Sequence, residues 1–362
     1  MNKEIISQKQ AISLVVTFIY CSTLVMGSGS EAGRDAWAAD LLGSLLAVPL
    51  YFIFARLLSI FPGLGLFEVA EKVFGKIGSY FIILPYVWYG FHLGAIALRN
   101  FTEFIKILTM PETPQYAIGS LMIIVCIWAT RAGLEVIGRW VCIILPVIII
   151  AIIVVSLLAV PLYKPEHLLP ILNKNWGTIA DGAFTTFSFP MAEVILFTIL
   201  LGNMRQGSSP KKVLFISLLT GCAVVTWVGL RSIMTLGEAN IQSLFYASYS
   251  TVGLINVGDF IQRIEVSVSV VFIFSGFIKI CICLYTTSCG LTRIFKLKEE
   301  RTLTAPLGVL MMVFSLFLYS DTMEMFIWAS EIYKYYALPF QVIIPVILWI
   351  SAEIKARRLK AT

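Results

Sequence analysis

The sequence predicts an all-α polytopic membrane protein with ten transmembrane helices, and three observations support this fold class. Of its 362 residues, 59% are hydrophobic and only 13% are charged, which is about half the charged fraction of an ordinary soluble domain. The mean hydropathy is +0.89, and apolar residues occur in runs of about 18 to 25, long enough to cross a hydrocarbon core. Because lipid offers no hydrogen-bond partners to the main chain, each spanning run must be helical.

Ten apolar runs define the predicted spans. They cover residues 10–33, 36–59, 76–108, 114–132, 137–160, 177–203, 211–235, 257–292, 304–320 and 325–352. The third and eighth are too long to lie wholly within the membrane, so they are expected to tilt or to extend into water. The first 26 residues share features with a signal peptide, but nine further spans favour an uncleaved first helix.

The placement of basic residues tests the count of ten. With the N-terminus inside, the inner segments hold 18 of the 27 Lys and Arg residues, and the outer segments and span ends hold six. Three lie deeper, namely Arg263, Lys279 and Lys334. This asymmetry follows the positive-inside rule and predicts that both termini are cytoplasmic. An odd number of spans would place the basic C-terminal tail outside.

The ten spans divide into two sets of five within a single transmembrane domain, at about residues 10–160 and 177–352. Since five is odd, the second set enters the membrane inverted, which is the arrangement of a 5+5 inverted-repeat transporter fold. In such folds the first helix of each repeat is broken near the midplane, and freed main-chain groups coordinate substrate and ions. Broken helices 1 and 6 are therefore predicted, from topology alone.

The first span contains Tyr20-Cys21-Ser22-Thr23, followed by Gly27-Ser28-Gly29-Ser30-Glu31. Small and hydroxylated residues can re-satisfy freed backbone groups, and glycine tolerates the dihedral angles that a break needs. These features predict a break near Cys21, Ser22 and Thr23, which become candidate ligand-binding residues. The alternative is that the glycine-rich stretch is a packing face or the end of the helix.

The sixth span contains a proline and a carboxylate in an apolar setting. Pro190 has no N–H, so it leaves the carbonyl of Thr186 without its helical donor. A carboxylate within the membrane, such as Glu193, marks a functional site by default, although it could instead be a structural partner to a buried cation. The candidate ligand-binding residues of this span are Thr185, Thr186, Ser188, Pro190 and Glu193.

The eighth span contains a buried cation, Lys279, one turn after Ser275. Lys279 is about fifteen residues from either end of its helix, too far for its ammonium group to reach an interface. A buried ammonium pairs with a carboxylate or with carbonyls, or it loses its proton. Lys279 is therefore a candidate fixed counter-charge, proton carrier or substitute for a bound cation, with structural ion pairing as the alternative. Ser275 and Lys279 are both candidates for the ligand site.

Other charges fall near the ends of spans. Arg99 and Glu103 are four residues apart on the third helix and share a face, which predicts a mainly structural ion pair. Asp259, Arg263 and Glu265 lie at the outer start of the eighth helix and are predicted to organise a gate or an interface.

Tyr86, Tyr89 and His92 are interpreted as core or interfacial aromatics, with a pocket wall as the alternative.

Several residue types argue against other classes of protein. The pattern contains no nucleophile–base pair, metal-ligand set or phosphate-binding loop, so neither an enzyme nor a cofactor is expected, and no basic cluster indicates nucleic-acid binding. The cysteines fall in apolar segments and are expected to be buried free thiols: Cys21, Cys126, Cys142, Cys222, Cys281, Cys283 and Cys289.

The chain resembles the spore germination permeases, the B subunits of Ger-type germinant receptors, which belong to the amino acid–polyamine–organocation superfamily. The resemblance runs collinearly over nearly the whole chain. It is carried by the stretch Ser30-Glu31-Ala32-Gly33-Arg34-Asp35-Ala36-Trp37, by Arg99 with Glu103 and Lys106, by Thr113-Pro114, by residues 189–197, by Arg263-Ile264-Glu265 and by the basic tail. Two positions vary: Cys21 stands where relatives often have glycine, and Lys279 where some have threonine and others lysine.

The resemblance implies a ligand pocket between helices one, three, six and eight. It implies a sensor for amino acids or similar germinants in the spore inner membrane, assembled with an A-type subunit and a lipoprotein C-type subunit. Two alternatives remain open: an autonomous amino acid/cation symporter, and a ligand-gated water or ion conduit. A carboxylate-bearing ligand would suit the positive N-terminal ends of half-helices, which favours an amino acid.

Overall fold

The computed structural model describes residues 4–27, 29–255 and 264–361, and these ranges are mostly helical. We label the helices of the described ranges in chain order, and a helix interrupted by an irregular turn keeps a single label. They are α1 (Gln8–Met26), α2 (Ala36–Ile60), α3 (Leu66–Leu108), α4 (Gln115–Ala132), α5 (Leu134–Leu158), α6 (Trp176–Asn203), α7 (Pro210–Leu236), α8 (Glu238–Ser243), α9 (Ala247–Gly253), α10 (Glu265–Ile294) and α11 (Arg301–Phe317). A twelfth, α12 (Thr322–Leu359), completes the bundle.

Helices occupy all ten predicted spans. Eight helical segments in the described ranges are long and apolar enough to cross a membrane, and α1 and the 17-residue α11 stand at the first and ninth predicted spans. The predicted all-α membrane fold class is confirmed. The third helix begins at Leu66, ten residues earlier than expected, and bends at Gly75, where φ is +74°. The predicted start of the eighth span, with Asp259 and Arg263, lies outside the described residues.

The predicted position of the break in helix 1 is wrong. Helix α1 continues through Cys21, Ser22 and Thr23 and ends at Met26. Small and hydroxylated residues permit a break but do not force one, because each retains the backbone N–H that a helix needs. The chain turns instead at Gly27 and Gly29, where φ is +63° and +66°. A 3₁₀ turn, Ser30–Asp35, then leads into α2.

Helix α6 is broken, as predicted. Regular α-helix ends at Thr186, and Phe189 has extended dihedral angles (φ −137°, ψ 104°). A wide turn over Phe187–Met191 and a 3₁₀ segment over Ala192–Leu196 follow before regular helix resumes. Pro190 has no N–H to continue the helical ladder, so the interruption falls at the point where the sequence removes a donor.

Close helix packing holds the broken segment in place. Helix α2 packs along the first half of α6, and a Cβ atom on Gly43 would lie 2.5 Å from the carbonyl oxygen of Ala183 and 2.8 Å from Cβ of Thr186. Only glycine permits this approach. Helix α1 lies against α5, α7 and α10, and α3 packs along α10. Helices α1, α3, α6 and α10 therefore meet in the middle of the bundle.

An ion-pair cluster joins the loop before α6 to the turn after α1. Glu238 lies 2.8 Å from Nε of Arg34 and 2.5 Å from Nζ of Lys174. Partial burial raises the pKa of Glu238, but hydrogen bonds and charge attraction from Lys174 and Arg34 outweigh it, so the pKa lies below its usual range. Asp35 accepts hydrogen bonds from the backbone N–H groups of Leu172 and Lys174. The loop before α6 is thereby tied to the turn that follows α1.

Candidate functional site

A buried ion pair lies beside the break in α6. Nζ of Lys279, on α10, lies 2.6 Å from Oε2 of Glu193, which follows the break. Glu193 is fully buried and Lys279 is 2% exposed. Removing two charges from water costs several kcal/mol for each ion, and close pairing in a low dielectric offsets this only with good geometry and further hydrogen bonds. The carboxylate and the ammonium that the sequence predicts within the membrane therefore pair with each other.

A chain of hydrogen bonds extends the ion pair toward α3 and α12. The hydroxyl of Tyr333 donates to Oε1 of Glu193 at 2.6 Å, and it lies 3.0 Å from the hydroxyl of Tyr89. Gln341 donates to the Tyr89 oxygen and to the main-chain carbonyl of Ser188, at 2.8 Å each. The Ser188 hydroxyl in turn donates to Oε1 of Gln341 at 3.1 Å. A main-chain carbonyl within the break, that of Ser188, therefore accepts its hydrogen bond from a side chain.

Aromatic rings and a thiol complete the surroundings of Lys279. Nζ lies 4.7 Å from the ring centre of Phe189 and 5.1 Å from that of Phe18, both within the range of a cation–π contact. The Cys21 thiol lies near Lys279 and Glu193 and interacts with Ser275. The Ser275 hydroxyl donates to the main-chain carbonyl of Val271, one turn earlier on α10. Cys21 thus contributes to the site from an intact helix rather than from a break.

A second polar cluster lies on α6 one to two turns before the break. Thr185 donates to Glu31 at 3.1 Å, and Thr186 donates to Asp40 at 2.8 Å. Asp181 pairs with Lys334 at 2.5 Å. These contacts join α6 to α2, to the turn before it and to α12.

The structure brings some of the predicted site residues together and separates others. Cys21, Ser188, Pro190, Glu193, Ser275 and Lys279 surround the break. Thr185 and Thr186 belong instead to the cluster with Glu31 and Asp40. The side chains of Ser22 and Thr23 lie outside the described part of the chain, as does Arg263. Glu265 begins α10.

The predicted pair of Arg99 and Glu103 forms, at 2.8 Å, and both side chains are buried. Arg99 also donates to the carbonyl of Leu316 at 3.0 Å, and Thr322 donates to Glu103 at 3.1 Å. The pair therefore joins α3 to the end of α11 and the start of α12. It belongs to a different network from Glu193 and Lys279.

Sequence reasoning missed two members of the central network. Tyr333 and Gln341 lie on α12, each beside or within a wide, π-type turn, a distortion that is frequent at functional sites. The signal available in the sequence was a glutamine within an apolar span, because its amide must find hydrogen-bond partners there. His92, interpreted as a core aromatic, is enclosed by the rings of Trp88, Phe314, Trp328 and Tyr336, at 5.1 to 5.9 Å between ring centres.

The sequence is similar to several proteins named as spore germination proteins. A family model described as spore germination protein matches residues 5–323. Spore germination protein KB of Bacillus subtilis (strain 168) is 28% identical over 363 residues, covering 99% of this chain and 97% of that protein. Spore germination protein YndE of the same organism is 25% identical, covering 78% and 77% of the two chains. Spore germination protein B2 is 20% identical over 96% of each.

Two solved transporter structures share the fold. MhsT in complex with L-phenylalanine has a TM-score of 0.66 at 14% identity, covering 98% of this chain and 100% of MhsT. Mhp1, a nucleobase-cation-symport-1 family transporter in a closed conformation with bromovinylhydantoin bound, has a TM-score of 0.56 at 15% identity. That match covers 96% of this chain and 90% of Mhp1. At this identity the similarity establishes the fold alone.

Proposed function

The chain belongs to the family of spore germination proteins, and from this premise we propose that it is the germinant-sensing, permease-like subunit of a spore germination receptor. In this proposal it binds an amino acid or a similar small nutrient at the break in α6. Binding triggers germination through A-type and lipoprotein C-type subunits in the spore inner membrane. The similarity to receptor-type germination proteins and the transporter fold support this assignment.

The observation that carries the proposal is the buried pair of Glu193 and Lys279 beside the break. An amino acid carries one ammonium and one carboxylate, the same two charges that the pair already holds in contact. The ligand carboxylate would replace Glu193 beside Lys279, and the ligand ammonium would replace Lys279 beside Glu193. Every charge then has a partner in the bound state, which matters because an unpaired buried charge costs several kcal/mol.

Exchange of partners also supplies a signal. A ligand shifts a conformational equilibrium only by its difference in affinity for the two states. The internal pair joins α6 to α10, and Tyr333 joins Glu193 to α12. A ligand inserted between Glu193 and Lys279 therefore favours a state in which these helices separate. We propose that partner subunits respond to that separation.

A germination assay with variant spores tests the proposal. Spores carrying Glu193→Gln or Lys279→Met are expected to lose their response to the germinant, while membrane fractions retain the protein. Glu112→Gln and Lys164→Met change the same charges at exposed loop positions and are expected to respond normally. Unchanged dose–response curves in both central variants would remove Glu193 and Lys279 from the binding site.

A second candidate is an autonomous amino acid/cation symporter with the same site, which the similarity to MhsT and Mhp1 favours. In that case Lys279 would replace a bound cation or carry a proton. Uptake of a radiolabelled amino acid by liposomes containing only this chain separates the two candidates. Concentrative uptake supports the symporter, and binding without uptake supports the receptor subunit.

A further inference from the structure

A second polar cavity, distinct from the central site, opens at the end of the bundle that the basic residues predict to be cytoplasmic. Its volume is about 530 Å³, and we call it the basal cavity. Ser288 lines it from α10, nine residues after Lys279, which corresponds to about 13 Å along the helix. Its lining residues are Glu4, Glu68, Thr130, Asn203, Tyr285, Ser288, Arg293, Glu299, Glu300, Arg301 and Thr304.

The lining carries an excess of negative charge. It contains four glutamates and two arginines, and each arginine has a glutamate partner. Arg301 lies 3.3 Å from Glu4, and Arg293 forms an ion pair with Glu68. Among the described residues, the two remaining lining carboxylates, at positions 299 and 300, form no ion pair. The lining therefore carries two more carboxylates than guanidinium groups.

Two buried hydroxyl groups in the lining have no partner within the described ranges. They belong to Thr130, which is 3% exposed, and to Ser288, which is 1% exposed. Buried polar groups in native proteins are nearly always hydrogen-bonded, so both indicate a polar occupant. The neighbouring Thr304 differs, because its hydroxyl donates to the carbonyl of Glu300 at 3.4 Å.

The size of the cavity decides between a bare ion and an organic ligand. A single metal ion needs only the few ångströms spanned by its coordination shell, whereas pockets of about 300 to 1,000 Å³ hold small organic molecules. At about 530 Å³ the basal cavity falls in the second class. The excess of two carboxylates and the two unpartnered hydroxyls then favour a ligand with two positive groups.

We propose that the basal cavity binds a small organic dication, of which a linear diamine is the simplest example. Its ammonium groups would pair with Glu299 and Glu300, and the hydroxyls of Thr130 and Ser288 would accept its remaining N–H groups. Because Glu4 tethers the N-terminal segment to Arg301 and to the backbone N–H of Leu134, the ligand binds directly beside that tether.

A binding titration on the full chain in nanodiscs of phosphatidylcholine tests the proposal, with 1,4-diaminobutane as the probe. The wild type is expected to bind it saturably and to bind 1-aminobutane at least about tenfold more weakly, since one charge-assisted hydrogen bond is worth about tenfold or more. The double variant Glu299→Gln/Glu300→Gln is expected to weaken diamine binding by at least about tenfold. Ser288→Ala is expected to weaken it by about two- to fivefold.

Two controls define the site. Glu112→Gln removes one exposed carboxylate elsewhere and is expected to leave the affinity unchanged. Glu193→Gln, in the central site, is also expected to leave it unchanged, which separates this proposal from the proposed germinant site. Absence of saturable diamine binding, or equal affinity in the Glu299→Gln/Glu300→Gln variant, would overturn the proposal. Saturable binding of Mg²⁺ without binding of the diamine would overturn the organic-cation assignment.

Discussion

The sharpest prediction concerns the removal of one member of the central ion pair. Lys279→Met keeps an unbranched side chain of similar length but leaves the carboxylate of Glu193, which is fully buried, with Tyr333 as its main remaining donor. Breaking a buried pair in this way costs about 3–5 kcal/mol. The double variant Glu193→Gln/Lys279→Met removes both charges and leaves a neutral amide beside Tyr333. We expect it to be more stable than Lys279→Met alone, by about 2 kcal/mol.

The assay is reversible unfolding of the purified chain in mixed micelles, with the free energy of unfolding measured for the wild type, both single variants and the double variant. A matched control cycle uses Glu135→Gln and Arg139→Met, an exposed pair with 3.2 Å between the charged atoms and side chains 37% and 71% exposed. Water screens this pair, so its coupling energy is expected to lie below about 0.5 kcal/mol.

A near-additive cycle at Glu193 and Lys279 would refute the reasoning. Additivity would mean that each charge has another partner of comparable strength or is reached by water. A stability loss under about 1 kcal/mol for Lys279→Met would lead to the same conclusion.

Three further predictions test the surrounding structure. Gly43→Ala should lower the free energy of unfolding by about 1–3 kcal/mol through overpacking. Gly253→Ala, with no atom within 4 Å of the new Cβ, should change the free energy of unfolding little. Equal effects of the two variants would contradict the packing described. The lowered pKa of Glu238 means that its stabilising contribution, below about 1 kcal/mol, is present above the usual glutamate pKa and lost as the pH falls through the folded-state value. Glu238→Gln should therefore flatten the acid side of the stability profile, and an unchanged profile would count against this. Tyr333→Phe should lower the germinant concentration for half-maximal response, since the hydrogen bond that joins Glu193 to α12 in the ligand-free state is lost. An unaltered response would show that the hydroxyl does not act on the site.

Much of the architecture followed from hydropathy and charge placement, because both report directly on the membrane. A long apolar run has few alternatives to a helix in lipid, and Pro190 removes a hydrogen-bond donor wherever it lies. These two facts were enough to locate the spans and the break in α6. Glu193 and Lys279 were also recognisable singly, since a charge in an apolar run needs an explanation.

The partners of those charges could not be read from the sequence. Glu193 and Lys279 are 86 positions apart, and Tyr333 is a further 54 positions along the chain. Their contact depends on how α6, α10 and α12 cross, which a pattern along one chain does not encode. Thr185 and Thr186 are close to Glu193 in sequence, but helical rotation turns them away from it, toward Glu31 and Asp40.

The break predicted in α1 failed for a related reason. Cys21, Ser22 and Thr23 are compatible with either an intact or an interrupted helix, because each retains its N–H. Such residues have no equivalent of the donor lost at Pro190, so the sequence left the two states undistinguished. The helix ends at Met26 and is capped by Gly27, where a positive φ is available at no steric cost.

The most direct test of the central claim is a structure of the protein with a bound germinant, obtained from a screen of amino acids. We expect a ligand between Glu193 and Lys279, with the distance from Nζ to Oε2 increased from 2.6 Å to beyond about 4 Å, the usual limit for an ion pair. A ligand bound elsewhere, with Glu193 and Lys279 still in contact, would contradict it.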